Sequence, residues 1–211
     1  MLIPITLIIP TYNEEKNIPK ILHNIKLLNP KEIIIVDGNS ISKPKVFDER
    51  LKIVSTISSR GVQLHTATKY SRQSWLLFLH ADTKLCKLNI KEIIDFIKKS
   101  PSNKIAYFKI KFDSSNFIAG IIALWGNLRT KLFHLPFGDQ CLIISQNYYK
   151  GLGGFAPIPI MEDMELMLKI PKNNKTLLNT YIQTSFRKYE KNGILRQSFK
   201  NIIRQIKFLL K

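Results

Sequence analysis

Acidic residues and cysteines are both scarce in this chain of 211 residues. Asp and Glu number 15 against 33 Lys and Arg, which gives a net charge of +18. Cys86 and Cys141 form no CxxC pair, which argues against a disulfide framework and favours a reducing compartment. The start of the chain has no basic segment or small-residue cleavage site of a secretory leader. The longest central apolar run, 117–125, is too short to span a bilayer, so we expect a cytoplasmic protein.

The excess of positive charge allows several classes of partner. Nucleic acid, an anionic membrane and phosphate-bearing substrates would each match it. A lysine-rich composition that scatters charge without function is the plain alternative. Because acids are scarce, those beside apolar runs or glycines stand out as candidate functional groups. They are Asp37, Asp82, Asp139, Glu162 and Asp163.

Polar groups follow three apolar segments that are typical of buried strands. The run 75–79 leads through His80 to Asp82, the run 33–36 leads to Asp37, and the run 7–9 leads to Pro-Thr-Tyr-Asn-Glu-Glu. Buried parallel strands are apolar on both faces, and open α/β sheets carry their chemistry at the carboxyl ends of the strands. The pattern therefore predicts a nucleotide site with a divalent cation at this edge.

Strand and helix patterns alternate along the first half of the chain, which predicts βαβ units and a mostly parallel sheet. We predict strands at 2–9, 32–36, 52–56, 75–79, 104–112 and 176–186. We predict helices at 15–28, 61–72, 89–99, 117–133, 163–169 and 194–210. The segment 136–156 is rich in Gly and is expected to be a loop platform. At this length one domain is the simplest arrangement.

The motifs resemble those of family 2 glycosyltransferases with the GT-A fold. The resemblance is carried, in order, by Pro-Thr-Tyr-Asn-Glu-Glu at 10–15, Val-Asp-Gly-Asn-Ser at 36–40, His-Ala-Asp-Thr at 80–83, Gly-Gly-Phe at 153–155 and Met-Glu-Asp at 161–163. With Arg-Gly-x-Gln at 60–63 and Phe-Gly-Asp-Gln at 137–140, the chain looks closest to the radical-SAM/selenodomain-associated transferase 2 subgroup.

The resemblance implies a three-layer α/β/α domain over 1–211. Its first part, 1–113, would bind the nucleotide sugar, and 114–190 would supply the acceptor and catalytic side. The segment 191–211 would form a basic amphipathic helix. The implied activity is inverting, metal-dependent transfer of a sugar from a nucleotide-diphosphate donor, expected to be a UDP-sugar, to an acceptor hydroxyl.

The resemblance also implies the donor-site residues. Asp82 is the expected ligand of Mn²⁺ or Mg²⁺, and His80 replaces the usual first acid, where it would bind the metal, face the nucleotide or merely pack. Asp37 would accept a hydrogen bond from the base. The remaining expected nucleotide-sugar contacts are Thr11, Tyr12, Glu14, Arg60, Gln63 and Ala81.

On the acceptor side, the resemblance implies that a carboxylate acts as general base on the acceptor hydroxyl. We assign this role to Asp163, with Glu162 as support, and place Asp139 and Gln140 on the acceptor side. Structural alternatives remain open for several of these groups: a turn for Asp37, a helix cap for Asp163 and a surface position for Arg60.

The last predicted helix is basic and contains no acid. Its apolar face carries Leu195, Phe199, Ile202, Ile206 and Leu209, and its opposite side carries Arg196, Lys200, Arg204, Lys207 and Lys211. Such a helix either lies on an anionic membrane or docks on the domain with its charged side in solvent. A lipid-linked acceptor would make membrane contact useful.

Two other functions compete with glycosyl transfer. A nucleotidyltransferase also builds a carboxylate and metal site on an α/β sheet, but the 10–15 loop contains neither the Gly nor the Arg of its signature. A non-catalytic nucleic-acid or membrane-binding protein would explain the charge. No recognition motif with interleaved aromatics is present, so we expect no nucleic-acid partner.

Overall fold

The structure is a computed structural model that describes residues 1–210, apart from the side chain of Leu209. Leu209 and Lys211, which the sequence placed on the two faces of the last helix, therefore lie outside the described side chains. The strands are β1 (Ile3–Thr11), β2 (Pro30–Asp37), β3 (Leu51–Ser55), β4 (Trp75–Phe78), β5 (Ile105–Phe112), β6 (Leu142–Ser145) and β7 (Lys175–Thr184). The helices are α1 (Ile18–Leu28), α2 (Arg60–Thr68), α3 (Lys87–Lys99), α4 (Phe117–Phe133), α5 (Gln146–Gly151), α6 (Glu162–Leu168), α7 (Arg187–Asn192) and α8 (Ile194–Leu209).

The seven strands form one sheet in the order β3-β2-β1-β4-β6-β5-β7. Strands β3, β2, β1 and β4 run parallel, and so do β5 and β7. β6 is antiparallel to both of its neighbours. The predicted fold class, a mixed α/β domain with a mostly parallel central sheet, is confirmed.

Helices cover both faces of the sheet because successive side chains of a strand point to opposite sides. In β1, Leu7 and Ile9 join one buried cluster with apolar residues of α1 and α3. Ile8, between them, joins a second cluster with Leu64 of α2 and Leu166 of α6. The sheet therefore separates two cores, and its carboxyl-end edge remains free for a site.

The Gly-rich platform predicted over 136–156 was wrong in part. The structure places the central strand β6 at Leu142–Ser145 and the helix α5 at Gln146–Gly151. The apolar run at 141–144 lies between Gly138 and the glycines at 151–154, and that composition favoured a loop. The predicted strand 176–186 also ends at Thr184, and a short helix α7 follows it.

Helix α4 has the bounds predicted from the sequence. Asn116 caps its start by accepting a hydrogen bond from the Ile118 amide at 2.9 Å, and His134 ends it in a left-handed conformation. Across residues 1–210, no helix combines the length and the apolar character needed to cross a membrane.

Candidate active site

The side chains selected from the sequence meet beyond the carboxyl ends of β1, β2 and β4. Thr11 and Asp37 are the last residues of β1 and β2 and pair in register. Asp82 follows shortly after β4. Arg60 and Glu162 are the first residues of α2 and α6. The chain order thus places strand ends and helix N-termini around one pocket, which is the usual location of a ligand in an open α/β sheet.

Asp37 is fully buried and holds the turn that follows β2. Its Oδ1 accepts a hydrogen bond from the Thr11 hydroxyl at 3.2 Å, and its Oδ2 accepts one from the Ser40 amide at 2.9 Å. Gln63 donates from Nε2 to the carbonyl oxygens of Thr11 at 2.8 Å and Val36 at 2.9 Å. Both side chains brace the strand ends, and their contacts with a nucleotide stay predictions.

Tyr12 and Glu14 are the more accessible groups on this side of the pocket. The Tyr12 side chain is exposed, which leaves its ring free to stack. Glu14 Oε2 accepts hydrogen bonds from Asn17 and, at 3.5 Å, from Arg187. Burial raises the pKa of Glu14, while Asn17 opposes that rise and the charge of Asp82 adds to it.

Asp82 has an oxygen without a partner. Within residues 1–210, its Oδ1 is buried and accepts no hydrogen bond. Burial raises the pKa of this carboxyl, against the opposing charges of Lys20 and Arg60. The Lys20 ammonium lies 3.1 Å from the Asp82 carbonyl oxygen. The site therefore holds an acidic oxygen that the described protein groups do not satisfy, in a strongly cationic setting.

His80 and Ala81 connect β4 to Asp82; Ala81 is buried and His80 is half-buried, with its Nε2 shielded from solvent. Burial, together with the charges of Arg60 and Lys188, lowers the pKa of His80 well below its usual value, so the imidazole is neutral. Its Nε2 also accepts or donates no hydrogen bond within residues 1–210. Ala81 is 4% exposed, and its contact with a nucleotide sugar stays a prediction.

Arg60 and Glu162 form an ion pair at the centre of the pocket. Arg60 Nε lies 3.1 Å from Glu162 Oε1. Burial raises the pKa of Glu162, Arg60 opposes the rise and Asp163 adds to it. Gly138 lies so close that a Cβ there would stand 2.7 Å from Arg60 Nη2 and 3.0 Å from His80 Nε2. The pair therefore orients the guanidinium with the help of a glycine backbone.

Asp163 is positioned by backbone amides. Its Oδ2 accepts a hydrogen bond from the Gly138 amide at 2.7 Å, and its Oδ1 accepts one from the Met164 amide at 2.7 Å. The Asp163 carboxylate lines the pocket together with Arg60 and Glu162. The two amides fix its orientation, and each oxygen keeps a second lone pair for another donor.

Asp139 and Gln140, both predicted on the acceptor side, have different surroundings. Burial raises the pKa of Asp139, and the charges of Arg129 and Arg60 oppose that rise. The Gln140 amide, in contrast, is fully engaged inside the protein: it accepts from Thr130 and donates to the Phe108 carbonyl oxygen at 2.8 and 2.9 Å. Gln140 ties α4 to β5, and its contact with an acceptor stays a prediction.

The sequence did not single out three cations that the structure brings to this site. Arg129 of α4 is half-buried, its guanidinium stacks 3.5 Å above the Phe137 ring, and its buried Nε has no partner within residues 1–210. Burial lowers the pKa of Arg129, against the charges of Asp139 and Asp163. Arg187 and Lys188 of α7 are the other two. Arg is rare here, with seven residues, and that rarity was the one available signal.

The donor set fits a cation that is shared with a substrate. No group of three or more His, Cys, Asp or Glu side chains suited to a metal exists within residues 1–210. Asp82 Oδ1 is nevertheless an unsatisfied carboxylate oxygen, with the neutral His80 close by in sequence. Mg²⁺ and similar ions are commonly held by one or two carboxylates, with substrate phosphates completing the shell.

The chain matches the family described as "Glycosyl transferase family 2" over residues 6–121, which is more than half of its length. This protein belongs to that family. The family predicted from the motifs is thus confirmed, whereas the resemblance to the radical-SAM-associated subgroup stays a prediction. No curated protein matches the chain significantly.

Solved structures share the fold of this family 2 transferase. The S. aureus TarS 1-349 structure aligns with a TM-score of 0.65 at 21% identity, covering 88% of this chain and 60% of that one. The mannosyltransferase PcManGT from Pyrobaculum calidifontis, in complex with GDP-Man and Mn²⁺, aligns with 0.64 at 17% identity, covering 87% and 57%. Glucosyl-3-phosphoglycerate synthase from Mycobacterium tuberculosis aligns with 0.59 at 14% identity, covering 86% and 70%. The chain thus spans about three fifths of the first two.

Proposed function

We propose that this family 2 transferase moves a sugar from a UDP-sugar to an acceptor hydroxyl with inversion at the anomeric carbon. The observation that carries the proposal is the grouping of Arg60, His80 and the Glu162–Asp163 pair in one pocket at the carboxyl ends of the strands. Asp82 follows His80 closely in the chain, and the charge of Arg60 acts on its carboxyl. A diphosphate needs cationic groups, and an attacking hydroxyl needs a base. The pocket supplies both within one cluster.

The donor half of the site would be formed by the strand ends. Tyr12, exposed beside β1, would stack on the base, while Asp37 would accept from it and Thr11 and Glu14 would line the same pocket. Arg60, at the N-terminus of α2, would bind phosphate oxygens together with helix amides. UDP is the proposed nucleotide, and GDP is the alternative, since the solved PcManGT structure contains GDP-Man.

A divalent cation fits the donor half. Asp82 would hold it through the unpartnered Oδ1, with His80 as a second ligand if the ion is Mn²⁺, which accepts imidazole better than Mg²⁺ does. When bound, such a cation neutralises the charge that develops on the departing diphosphate. Arg60, a cation of the protein itself, would help to neutralise the same negative charge.

Asp163 is the proposed general base. Its carboxylate is oriented by the amides of Gly138 and Met164, and it keeps lone pairs free for the proton of an acceptor hydroxyl. One in-line attack by that hydroxyl on the anomeric carbon inverts its configuration. Glu162 is paired with Arg60 and buried, so it would orient the guanidinium instead of taking the proton.

The acceptor side would be formed by Asp139, Arg129 and the start of α7. The charges of Arg129 and of the proposed base Asp163 both act on Asp139, and we propose that Asp139 orients an acceptor hydroxyl. We propose a lipid-linked acceptor, because the helices that border this side, α4 and α8, expose apolar side chains. The same exposure would bring the protein to the surface of a membrane.

Calorimetric titration of UDP and of GDP, with and without Mn²⁺, tests the donor assignment. Wild type should bind UDP more tightly with Mn²⁺, and Asp82→Ala should lose that metal dependence. Asp95→Ala, which removes a surface carboxylate of α3 paired only with Lys99, is the matched control. Tighter binding of GDP than of UDP would identify guanine, in place of uracil, as the nucleobase of the donor. Metal dependence that survives in Asp82→Ala would place the ligand elsewhere.

A further inference from the structure

Helix α4 exposes its large apolar residues and buries its small ones. Phe117, Ile118, Ile121, Leu124, Trp125, Leu128, Leu132 and Phe133, here called the outer face of α4, are 43 to 82% exposed. The side that packs on the sheet carries Ala119, Ala123 and Thr130, which are at most 7% exposed. An ordinary surface helix has the opposite distribution.

Single exposed apolar residues are common, but a contiguous set is not. The outer face of α4 spans the whole helix, at spacings of three and four residues that place its members side by side. Patches of this extent on a protein surface mark contacts with other proteins or with membranes. Internal packing does not explain them, since the small side of the helix already satisfies the contact with β5.

Helix α8 carries a second exposed apolar row. Leu195, Phe199, Ile202 and Ile206 are 43 to 84% exposed. Gln197 of this helix, in contrast, is 2% exposed and accepts a hydrogen bond from Asn192 of α7 at 2.8 Å. The apolar row of α8 therefore does not cover the described part of the domain, and contact of this helix with a membrane stays a prediction.

A chain of contacts links the two helices through β5 and α7. Asn127 of α4 exchanges two hydrogen bonds of 2.9 Å with the backbone of Ile110 in β5. Farther along β5, the Phe112 ring lies 5.6 Å from the Tyr189 ring of α7. The Tyr189 hydroxyl accepts from Asn201 of α8 at 3.2 Å. Contacts thus run without interruption from α4 through β5 and α7 to α8.

Charge decides which occupant suits these apolar faces. The helices α4 and α8 contain no acid, and they carry Arg129, Lys131, Arg196, Lys200, Arg204 and Lys207. A second copy of this chain would bring another +18 against them. Anionic headgroups would instead attract the cations while the apolar side chains enter the acyl boundary, and Trp125 is a residue type favoured at that depth.

We propose that the outer face of α4, together with the exposed row of α8, docks this protein on an anionic lipid bilayer. The docking surface adjoins the acceptor side, because the guanidinium of Arg129 on the same helix stacks 3.5 Å from the Phe137 ring, and the neighbouring Gly138 amide donates to Asp163. A helix is only about 10 Å across, so a hydroxyl carried by a lipid would reach the pocket. This last step, unlike the docking itself, rests on the proposed function.

The test is co-sedimentation with vesicles of phosphatidylcholine alone and with one third phosphatidylglycerol, without any sugar donor. The variant Leu124→Gln/Trp125→Gln changes two exposed residues of α4. The matched control, Ile41→Gln/Phe47→Gln, changes two loop residues that are 97 and 91% exposed. The α4 variant should lose about tenfold or more in affinity for the anionic vesicles, and the control should bind as wild type does.

Equal binding by the α4 variant and wild type would overturn the proposal, and so would equal binding to both vesicle types. A wild-type dimer that the α4 variant abolishes would assign the surface to a second copy instead. Titration of wild type and each variant with UDP tests the proposed function separately from membrane docking. Vesicle binding without UDP binding would defeat only the proposed function, and the reverse result would defeat only the docking.

Discussion

Glu162 and Asp163 are adjacent in sequence, but their surroundings differ. Glu162 is 2% exposed and its carboxylate is paired with Arg60. Asp163 is held by the amides of Gly138 and Met164. The different roles proposed for the two carboxylates rest on this geometry: the ion pair directs Glu162 towards the guanidinium, whereas each oxygen of Asp163 keeps a lone pair for an acceptor proton. Residue type alone does not specify these contacts.

Asp163→Asn tests the base directly. Asn keeps one oxygen for an amide, so the pocket should persist and UDP should bind as in wild type. Hydrolysis of the UDP-sugar, with water in place of the acceptor, should fall by about 100-fold or more, because Asn cannot take a proton. Retained turnover would remove Asp163 as the base. Loss of UDP binding would show a structural role instead.

Asp139 provides a prediction about pH. Burial raises its pKa above 3.8, and Arg129 and Arg60 oppose part of that rise. The folded chain therefore holds this proton more tightly than the unfolded chain does. Titration of Asp139 therefore makes the folded protein less stable as the pH rises: the free energy of unfolding falls from about pH 4 up to the pKa of Asp139 in the folded state.

Asp139→Asn removes this titration. Between about pH 4 and pH 7, the free energy of unfolding of wild type should fall relative to that of the variant, because only wild type loses the proton that its folded state holds. Urea denaturation at a series of pH values measures this fall. For the control Asp95→Asn, at a half-exposed carboxylate of α3, the free energy of unfolding should change with pH as that of wild type does. If the free energies of unfolding of Asp139→Asn and wild type also change with pH in the same way, burial does not raise the pKa of Asp139.

At the scale of the elements, the N-terminus of α2 depends on a close backbone contact. A Cβ on Gly61 would lie 2.3 Å from the Ala156 carbonyl oxygen and 2.4 Å from that of Ile158. Only glycine allows the helix to approach this segment, which leads into α6. The contact therefore sets the distance between the helix starts that carry Arg60 and Glu162.

Gly61→Ala should lower the free energy of unfolding by about 1–3 kcal/mol, because rigid backbone atoms must move. UDP binding should weaken as Arg60 shifts. Gly120→Ala in α4 is the control: a Cβ there meets nothing within 4 Å, and Ala stabilises an exposed helix position by up to about 1 kcal/mol over Gly. Urea denaturation of both variants checks the pair. Equal effects would show that the Gly61 contact carries no strain.

Elements bounded by clear polar or turn residues were predictable, including the four-residue β4, whereas those inside the Gly-rich segment were not. The apolar runs of β1, β2 and β4 end at the polar groups of the site, so its location followed from the sequence. β6 has four residues in a glycine-rich segment and escaped recognition. Arg129 was missed for a different reason: its neighbours on α4 look like an ordinary apolar helix, and only tertiary packing turns Arg129 towards Asp139.

At the scale of the whole molecule, the charge of the site differs from the charge of the surface. In the pocket, cations such as Arg60 and Arg129 are opposed by Glu162, Asp139 and Asp163. The remaining surplus that makes up the net +18 lies mostly on exposed lysines without acidic partners nearby. Such a surface attracts any polyanion, whereas the pocket can select one.

Salt should therefore separate two kinds of binding. An adenine-only RNA oligonucleotide should bind at low salt through phosphate contacts alone, and its affinity should fall by about 100-fold or more between about 50 and 200 mM salt. UDP affinity should fall much less, since partly buried charge pairs are screened weakly. Fluorescence anisotropy measures the RNA affinity and calorimetry the UDP affinity, each at a series of salt concentrations. RNA binding that persists at high salt and is displaced by UDP would place the RNA in the pocket. That result would favour a nucleic-acid function over a surface effect of net charge.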